Sequence, residues 1–509
     1  MNFVAKKGDK PMYTMTTLEL YQLLQQHQLL AQAVDLTNVA NQTFTHLSYD
    51  SRDIQPNTLF FCKGLNFKKE LLLDALAKGV TTYLTEVTYE TTAQEILVTD
   101  IREAMAVVAQ AFYQHPQEKL TKIGITGTKG KTTTAYLLHQ LLKDAFGPKI
   151  ALFSSEETTI DGKNYAPSKL TTPEALVLYQ QMAQAVENGL THLVMEVSSQ
   201  AYKTKRVFGL TFEVGIFLNI SPDHISPIEH EDFADYFSCK QQLLLHSKQM
   251  IINQQSDHFD SLQRLCQENQ IPFLTYGDLH ADYPIIPQSE PRQFALNSSK
   301  DPLNLNDTYT LAMFGSFNHG NATAALMTAA FLHAPSTNYK ESLVHCTIPG
   351  RMNMLELPNG TLVFVDFAHN YLSLKSMGTM AKEIRPNARA LLLTGSAGGK
   401  AISRRKDMGQ AISEVYDLVV LTRDDPNFED PAAIAAEIQS HITNPDVKVY
   451  HEMARDKAIA LVLSLAKPED IVILAGKGTE PTMKEAGQDV PYQGDLYFAK
   501  QWIDQQVKN

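Results

Sequence analysis

A chain of 509 residues exceeds what one hydrophobic core holds, so two to three domains are expected, and its ordinary composition excludes disorder as the default state. The net charge of -12 excludes a general nucleic-acid binder, which carries a basic face, but leaves room for an anionic small substrate on a local cluster of Lys and Arg. The four cysteines, Cys62, Cys239, Cys266 and Cys346, are far apart without a C-x-x-C, so their spacing indicates neither a zinc site nor a disulfide framework.

The first unit runs to about residue 117. Pro56-Asn57 marks a turn before a strand at Thr58–Phe61, Leu71–Ala77 has helical spacing, and Thr81–Leu84 reads as a second strand. Ser51 and Arg52 precede that turn, and on local sequence alone they read as a solvated loop.

The second unit spans 118–349 and holds the stretch around which the chain is organised. The apolar run Leu120–Ile125 reads as a strand, and Ala135–Leu142 has the spacing of a helix. Between them lies Thr126-Gly127-Thr128-Lys129-Gly130-Lys131-Thr132-Thr133. A glycine-rich turn joining strand to helix turns its N–H groups and the helix N-terminus toward a phosphate; Lys131 reaches the outer phosphates and Thr132 is placed to ligate the Mg²⁺ of ATP. The spacing is short of the full G-x-x-x-x-G-K-[ST], because Ile125 stands where that pattern has Gly. Further on, Pro173–Asn188 reads as a helix with Thr171-Thr172 available as its cap. The strand Thr191–Met195 ends in Glu196, a carboxylate that either serves Mg²⁺ beside the phosphate loop or faces solvent. Another strand, Val214–Leu218, leads to Asn219 and Asp223-His224, where His224 binds metal, caps a loop or has no chemical role.

The third unit begins near Gly350. Strands at 362–365, 390–393, 418–421, 447–450 and 471–474 alternate with helical patterns such as 432–442 and 453–466, which implies a parallel sheet with helices on both faces. Ligands then sit at the carboxyl ends of the strands. Those ends carry Asp366 and His369, then 395–400, then Asp424-Asp425-Pro426-Asn427, then Lys477 and Glu480. Three decoys fail: Gly395-Ser396-Ala397-Gly398 lacks the spacing of a nucleophile elbow, Gly476-Lys477-Gly478 lacks the Ser or Thr of a phosphate loop, and His230-Glu231 has no second His for a zinc protease. The stretch Met1–Thr17 lacks the apolar core of a signal peptide, and Ala458–Ala466 is too short to span a bilayer, so the expectation is a cytoplasmic, reduced, soluble enzyme.

Together these residues resemble the Mur ligases, the ATP-dependent amino-acid-adding enzymes of peptidoglycan synthesis, over nearly the whole chain. Gly127–Thr132 matches the family's shortened loop G-T-[NK]-G-K-[ST], Phe317-Asn318-His319-Gly320-Asn321 its F-N-x-x-N, and Gly350-Arg351 with Asp366-Phe367-Ala368-His369 its linker arginine and D-Y-A-H. The resemblance implies an α/β protein of three domains: an N-terminal uridine-nucleotide-binding domain (1–117), a central P-loop ATPase domain with a parallel sheet (118–349), and a C-terminal Rossmann-like amino-acid-binding domain (350–509). It implies ATP on Gly127, Thr128, Lys129, Gly130, Lys131, Thr132, Thr133, Asn318, Arg351, Asp366 and His369. It implies Mg²⁺ on Thr132, Glu196, His224 and Lys240, with Lys240 carbamylated (N6-carboxylysine) and Lys131, Lys240, His224 and Glu196 catalytic. Within the family the chain is most similar to the enzymes adding the third peptide residue. Ser51, Arg52, Asn66, Thr171, Thr172, Ser198 and Arg206 then bind the UDP-muramoyl dipeptide. Lys400, Asp424, Asp425, Asn427 and Glu480 receive the amino acid.

Asn427 stands where diaminopimelate-adding relatives have Arg, leaving an acidic site suited to L-lysine. The chain departs from its relatives at Gln200, Lys400 and Asn370-Tyr371-Leu372. The expected chemistry is an acyl phosphate on the D-glutamate, attacked by the lysine amine, in a monomer that neither binds nucleic acid nor enters a membrane. The competing readings are the same reaction with meso-diaminopimelate, a ligase of the folylpolyglutamate synthetase type, and a nucleotide-dependent binding or regulatory protein. The N-terminal segment and Thr171-Thr172-Pro173 oppose the folate type, and residues suited to chemistry beyond the phosphate loop oppose the last.

Overall fold

The computed structural model describes residues 13–38, 41–64, 67–223, 225–226, 229–399 and 402–508. The first unit opens with the helix Thr17–Gln26, which the sequence reading passed over. Its signal is a capping box: Thr16 Oγ1 accepts from Glu19 N (3.2 Å) while Glu19 Oε2 accepts from Thr16 N (2.7 Å). Four parallel strands follow in chain order, His46–Ser48, Thr58–Phe61, Thr82–Thr85 and Gln94–Leu97. Thr58–Phe61 and Thr82–Thr85 are buried along their whole length, as parallel strands covered on both faces are.

The central unit is built on eleven strands in the order Ala166–Pro167, Glu157–Thr159, Ile150–Phe153, His192–Glu196, Thr121–Thr126, Val214–Phe217, Met250–Asn253, Phe273–Gly277, Tyr283–Pro287, Gln293–Leu296 and Thr308–Thr310. The middle is parallel, but both flanks pair antiparallel, which corrects the expectation of a parallel sheet. The flanking strands are short or contain Pro, so the period of a buried parallel strand is absent there. Thr121–Thr126 lies between strands that the chain reaches in opposite directions, so a crevice opens above its carboxyl end. Helix Lys131–Phe146 leaves that end and packs against helix Phe317–Phe331 over a core of Ile123, Ile125, Leu138 and Ala325. The helix expected from Pro173 begins at Ala175, and its N-cap Glu174 makes no side-chain cap. Thr171 and Thr172 are therefore not helix caps; Thr172 Oγ1 donates instead to Glu196 O at 2.9 Å.

The third unit has the expected parallel core, in the order Leu362–Asp366, Ile471–Ala475, Ala390–Thr394, Leu418–Leu421, Lys448–His451, with Asn353–Glu356 added antiparallel at one edge. Apolar clusters cover both faces. Among the described residues no helix is long and apolar enough to cross a membrane. The four cysteines are buried thiols.

Ion pairs tie the units together. Lys205 of the central unit binds Asp100 and Glu103 of the first at 2.6 Å each. Asp223 of the central unit accepts from Arg404 (2.7 Å) and Asn370 (3.2 Å) of the third.

Candidate active site

The turn after Thr121–Thr126 is shaped by its glycines. Gly130 has φ +87°, and a Cβ there would run into Asn321 Oδ1. Asn219 clamps the loop from the neighbouring strand end, accepting from Lys129 N (2.9 Å) and donating to Lys129 O (3.0 Å). Asn321 also reaches Asn318 Oδ1 (3.1 Å), which brings the Phe317–Asn321 segment against the loop. Lys131 Nζ folds back onto Gly127 O (3.0 Å) and Thr128 O (3.2 Å), and burial lowers its pKa against the pull of Glu196 and Asp223. Thr132 is buried at the first turn of the helix.

Lys240, on helix Phe233–Leu245, reaches the same carbonyl: its Nζ donates to Gly127 O at 2.8 Å. Its amine is buried, with Lys131 and Lys129 nearby, and desolvation first and these cations next push its pKa well down. Lys129 is lowered to about 8 by burial, against the attraction of Asp223 3.7 Å away.

Glu196 is fully buried at its strand end, and its carboxylate accepts from Ser155 N (2.8 Å) and Ser155 Oγ (3.0 Å). Ser155 Oγ is 2.9 Å from Thr171 Oγ1, and Thr172 Oγ1 is 3.3 Å from Ser198 Oγ. Arg206 donates to Thr172 O (3.1 Å) and pairs with Glu174 (3.2 Å), which also holds Lys63 of the first unit (3.0 Å). Thr171, Thr172, Ser198 and Arg206 thus form one connected patch beside Glu196. Ser51 is buried and gives its carbonyl to Lys78 (2.7 Å), while Arg52 is exposed and held by Asp50 (2.6 Å).

The third unit closes the other side. Arg351, Phe367 and His369 line a cavity of about 200 Å³ with Lys131, Thr132 and Glu196. Asp366 accepts from Met352 N (3.0 Å), and burial raises its pKa against the pull of Arg351. Burial, Lys129 and Arg404 drive His369 down to about 3, so its ring is neutral and accepts or donates without charge.

At the neighbouring strand ends the expected acidic site takes a different form. Asp425 Oδ1 binds Lys477 Nζ (2.9 Å), which is buried and also grips Glu480. Asp424 lies 3.8 Å from Arg455, whose guanidinium is buried against Asp495 (2.7 Å), and burial raises Asp424 to about 6. The carboxylates are therefore partnered rather than a bare acidic set, which corrects the sequence expectation. Asn427 (φ +54°) is engaged by the hairpin Thr482–Pro491, accepting from Gly487 N at 2.9 Å. Asn66, His224 and Lys400 lie outside the described residues.

Sequence reasoning missed Ser155, Arg404 and Arg455. A serine after a strand and an arginine within a helix carry no local signal; only their partners reveal them. Among the described residues His230, Asp235 and Cys239 also group as possible metal ligands, within 4.8 Å of one another. Their polar atoms are already used, His230 by Asp235 (2.8 Å) and Ser199 (2.9 Å), and Asp235 also by Lys203.

Comparison with known proteins follows this geometry. Residues 125–329 match the Mur ligase middle domain and 350–478 the glutamate ligase domain of Mur ligases. The chain is 50% identical to a UDP-N-acetylmuramoyl-L-alanyl-D-glutamate–L-lysine ligase of Enterococcus faecalis over 466 residues, 90% of this chain and 92% of that one. It is 42% identical to a UDP-N-acetylmuramyl-tripeptide synthetase of Ligilactobacillus salivarius over 503 residues, 95% and 98% of the two chains. Its structure is similar to that of a UDP-N-acetylmuramoyl-L-alanyl-D-glutamate–2,6-diaminopimelate ligase, with TM-score 0.64 and 25% identity over 95% of this chain and 99% of that one.

Proposed function

We infer that this chain, which belongs to the Mur ligase family, is an ATP-dependent ligase that adds L-lysine to UDP-N-acetylmuramoyl-L-alanyl-D-glutamate during peptidoglycan precursor synthesis. The observation that carries this reading is a single cavity lined both by the phosphate loop with Glu196 and by Arg351 and His369 of the third unit. The third unit thus closes over the phosphate loop with its own ATP-side residues, with the patch of Thr171, Thr172, Ser198 and Arg206 beside it. ATP supply places the reaction in the cytoplasm.

A carboxylate is a poor acylating agent. An oxygen of the D-glutamate side chain attacks the γ-phosphorus, ADP leaves, and the lysine α-amine displaces phosphate from the acyl phosphate. Positioning and charge neutralisation supply most of the acceleration. Lys131, Lys129 and Arg351 are the cations at hand for the phosphates, and the helix that starts at Lys131 adds its N-terminus. Asn318, held through Asn321 against the loop, and Asp366 sit where the rest of the nucleotide is bound.

Mg²⁺ fits this donor set: the Thr132 hydroxyl and Glu196 carboxylate are hard oxygen ligands. The Lys240 amine is not, but burial favours its neutral form, the one that combines with CO₂, and its carbamate would supply oxygens. His224 completes the proposed set. Bound there, the metal would neutralise phosphate charge.

At the amino-acid end, Asp425 and Glu480 keep oxygens beyond those held by Lys477 and face the side-chain ammonium of lysine, with Lys400 taking its carboxylate. The added carboxylate of meso-diaminopimelate would meet these acids, a juxtaposition worth several kcal/mol. The three larger sheets support boundaries near 117 and 349, with uridine binding in the first unit, at Ser51, Arg52 and Asn66, and a Rossmann-like role for the third. The protein is taken to act as a monomer. The test is a product assay with ATP, Mg²⁺, the UDP-muramoyl dipeptide and each amino acid in turn. L-Lysine should give tripeptide with a kcat/KM far above that for meso-diaminopimelate; equal values would overturn the assignment of the amino-acid end.

A further inference from the structure

An amino acid arrives at neutral pH as an ammonium, which is no nucleophile. Some group must take its proton before it can attack, and the carboxylates described so far are engaged elsewhere, Asp424 included, which is buried 3.8 Å from Arg455. Glu196 is bound by Ser155, Asp366 accepts from Met352 N, and Asp425 and Glu480 are both held by Lys477.

Glu156 differs. It follows Ser155, which lines the cavity and holds Glu196, and its own carboxylate faces Arg351 at the entry to the third unit. Arg351 Nη2 lies 3.5 Å from its Oε1, too far for a good hydrogen bond, and among the described residues nothing donates a hydrogen bond to this carboxylate. The side chain is only 18% exposed. The charged groups around it are Arg351 on the segment entering the third unit, Asp366 and Glu480 at the third unit's strand ends, and Glu196 on the central sheet. Burial raises its pKa; Arg351 opposes this and the three carboxylates add to it, so that it stands at about 7. A base near neutrality is the kind that general catalysis favours. Its place is also apt: Arg351, Asp366 and Glu196, assigned to ATP and Mg²⁺, and Glu480, assigned to the amino acid, all act on its charge.

We propose that Glu156 is the general base that takes a proton from the α-ammonium of the incoming amino acid. The inference rests on the ligase reading above. One N–H proton passes to a Glu156 carboxylate oxygen and leaves a lone pair on nitrogen. That pair forms the C–N bond to the acyl carbon, the C–O bond to phosphate breaks with its electrons on the phosphate oxygen, and the second N–H proton leaves with the phosphate. Glu156 then returns its proton to water.

The experiment compares two nucleophiles on the full chain and on Glu156→Gln, with ATP, Mg²⁺ and the UDP-muramoyl dipeptide. Hydroxylamine is a free base at neutral pH, so it traps the acyl phosphate as a hydroxamate without help from the protein. In Glu156→Gln, kcat with L-lysine should fall about 10²-fold at pH 7 while hydroxamate formation stays within about threefold of wild type. The variant's lysine rate should climb about tenfold per pH unit, following the free amine, where the wild type has levelled off. Hydroxamate formation shows the variant to be folded. Equal losses with both nucleophiles would assign Glu156 to phosphates or structure and overturn the proposal, as would lysine turnover within about threefold of wild type. Failure of the ligase reading appears elsewhere, in a wild type that makes neither tripeptide nor hydroxamate, and overturns both.

Discussion

Two lysines converge on one carbonyl, Gly127 O, from different helices, and their environments give them different work. Lys131 starts the helix that the loop feeds, and in the proposed mechanism its charge acts where phosphate charge grows. Lys131→Ala should lower kcat about 10²-fold or more, the scale lost with one preorganised charge partner. Near-normal turnover in the folded variant would remove the loop from the mechanism. Lys240 sits deeper, among cations that disfavour a third charge. Lys240→Ala should abolish activity, and short carboxylic acids in solution should partly restore it by standing in for carbamate oxygens. A free amine at position 240 by intact mass, together with full activity, would exclude the carbamate. The place of Lys131 at the start of its helix was legible from the sequence; the burial of Lys240 was not, because nothing in Tyr236–Leu245 distinguishes a buried lysine from a surface one.

At the scale of elements, the acidic motif at 424–427 is held in place by Arg455. Its guanidinium is fully buried, bound twice by Asp495 at 2.8 and 2.7 Å and donating to the carbonyls of Arg423 (3.0 Å) and Ala475 (2.8 Å). It therefore joins helix Arg455–Leu465, the motif's first residue, a strand end and the final helix Asp495–Lys508. Arg455→Ala leaves the buried Asp495 carboxylate with Tyr492 Oη (2.7 Å) but without its counter-charge, which costs about 3–5 kcal/mol. Denaturant unfolding should register that loss, and lysine KM should rise as the motif loosens. Arg455→Ala within about 0.5 kcal/mol of wild type would show that Asp495 finds another partner. The strands of the third unit were readable from alternation to within a residue or so. The antiparallel edge Asn353–Glu356 was not, since an edge strand needs no full apolar period.

At the scale of the molecule, stability depends on histidines kept neutral. Burial lowers His139, in the central core, to about 4, and His369, between the units, to about 3. Both lie below the unfolded value of about 6.5. The unfolded chain thus binds protons that the folded chain refuses, so their stabilising contribution is whole above pH about 6.5 and is lost as pH falls through about 4 and then about 3. Thermal melts should show the midpoint falling from pH 7 to pH 4. His139→Gln, which lies outside the proposed site, should flatten that fall; an unchanged slope would place the acid sensitivity elsewhere.

Local chemistry was enough for the glycine turn between strand and helix, the strand-ending Glu196, the alternation of the third unit and the segments resembling Mur ligases, because each depends on residues close in sequence. Tertiary structure decided what depends on residues far apart. Thr172 looked like a helix cap and instead bonds the backbone of Glu196, 24 residues on. Asp424, Asp425 and Glu480 looked like a free acidic site and proved to be partnered by Arg455 and Lys477, because burying carboxylates demands counter-charges whose position only the folded sheet supplies. Glu156 carried no signal at all in the chain. Its candidacy comes from Arg351, Asp366 and Glu480, brought against it from a unit some 200 residues away.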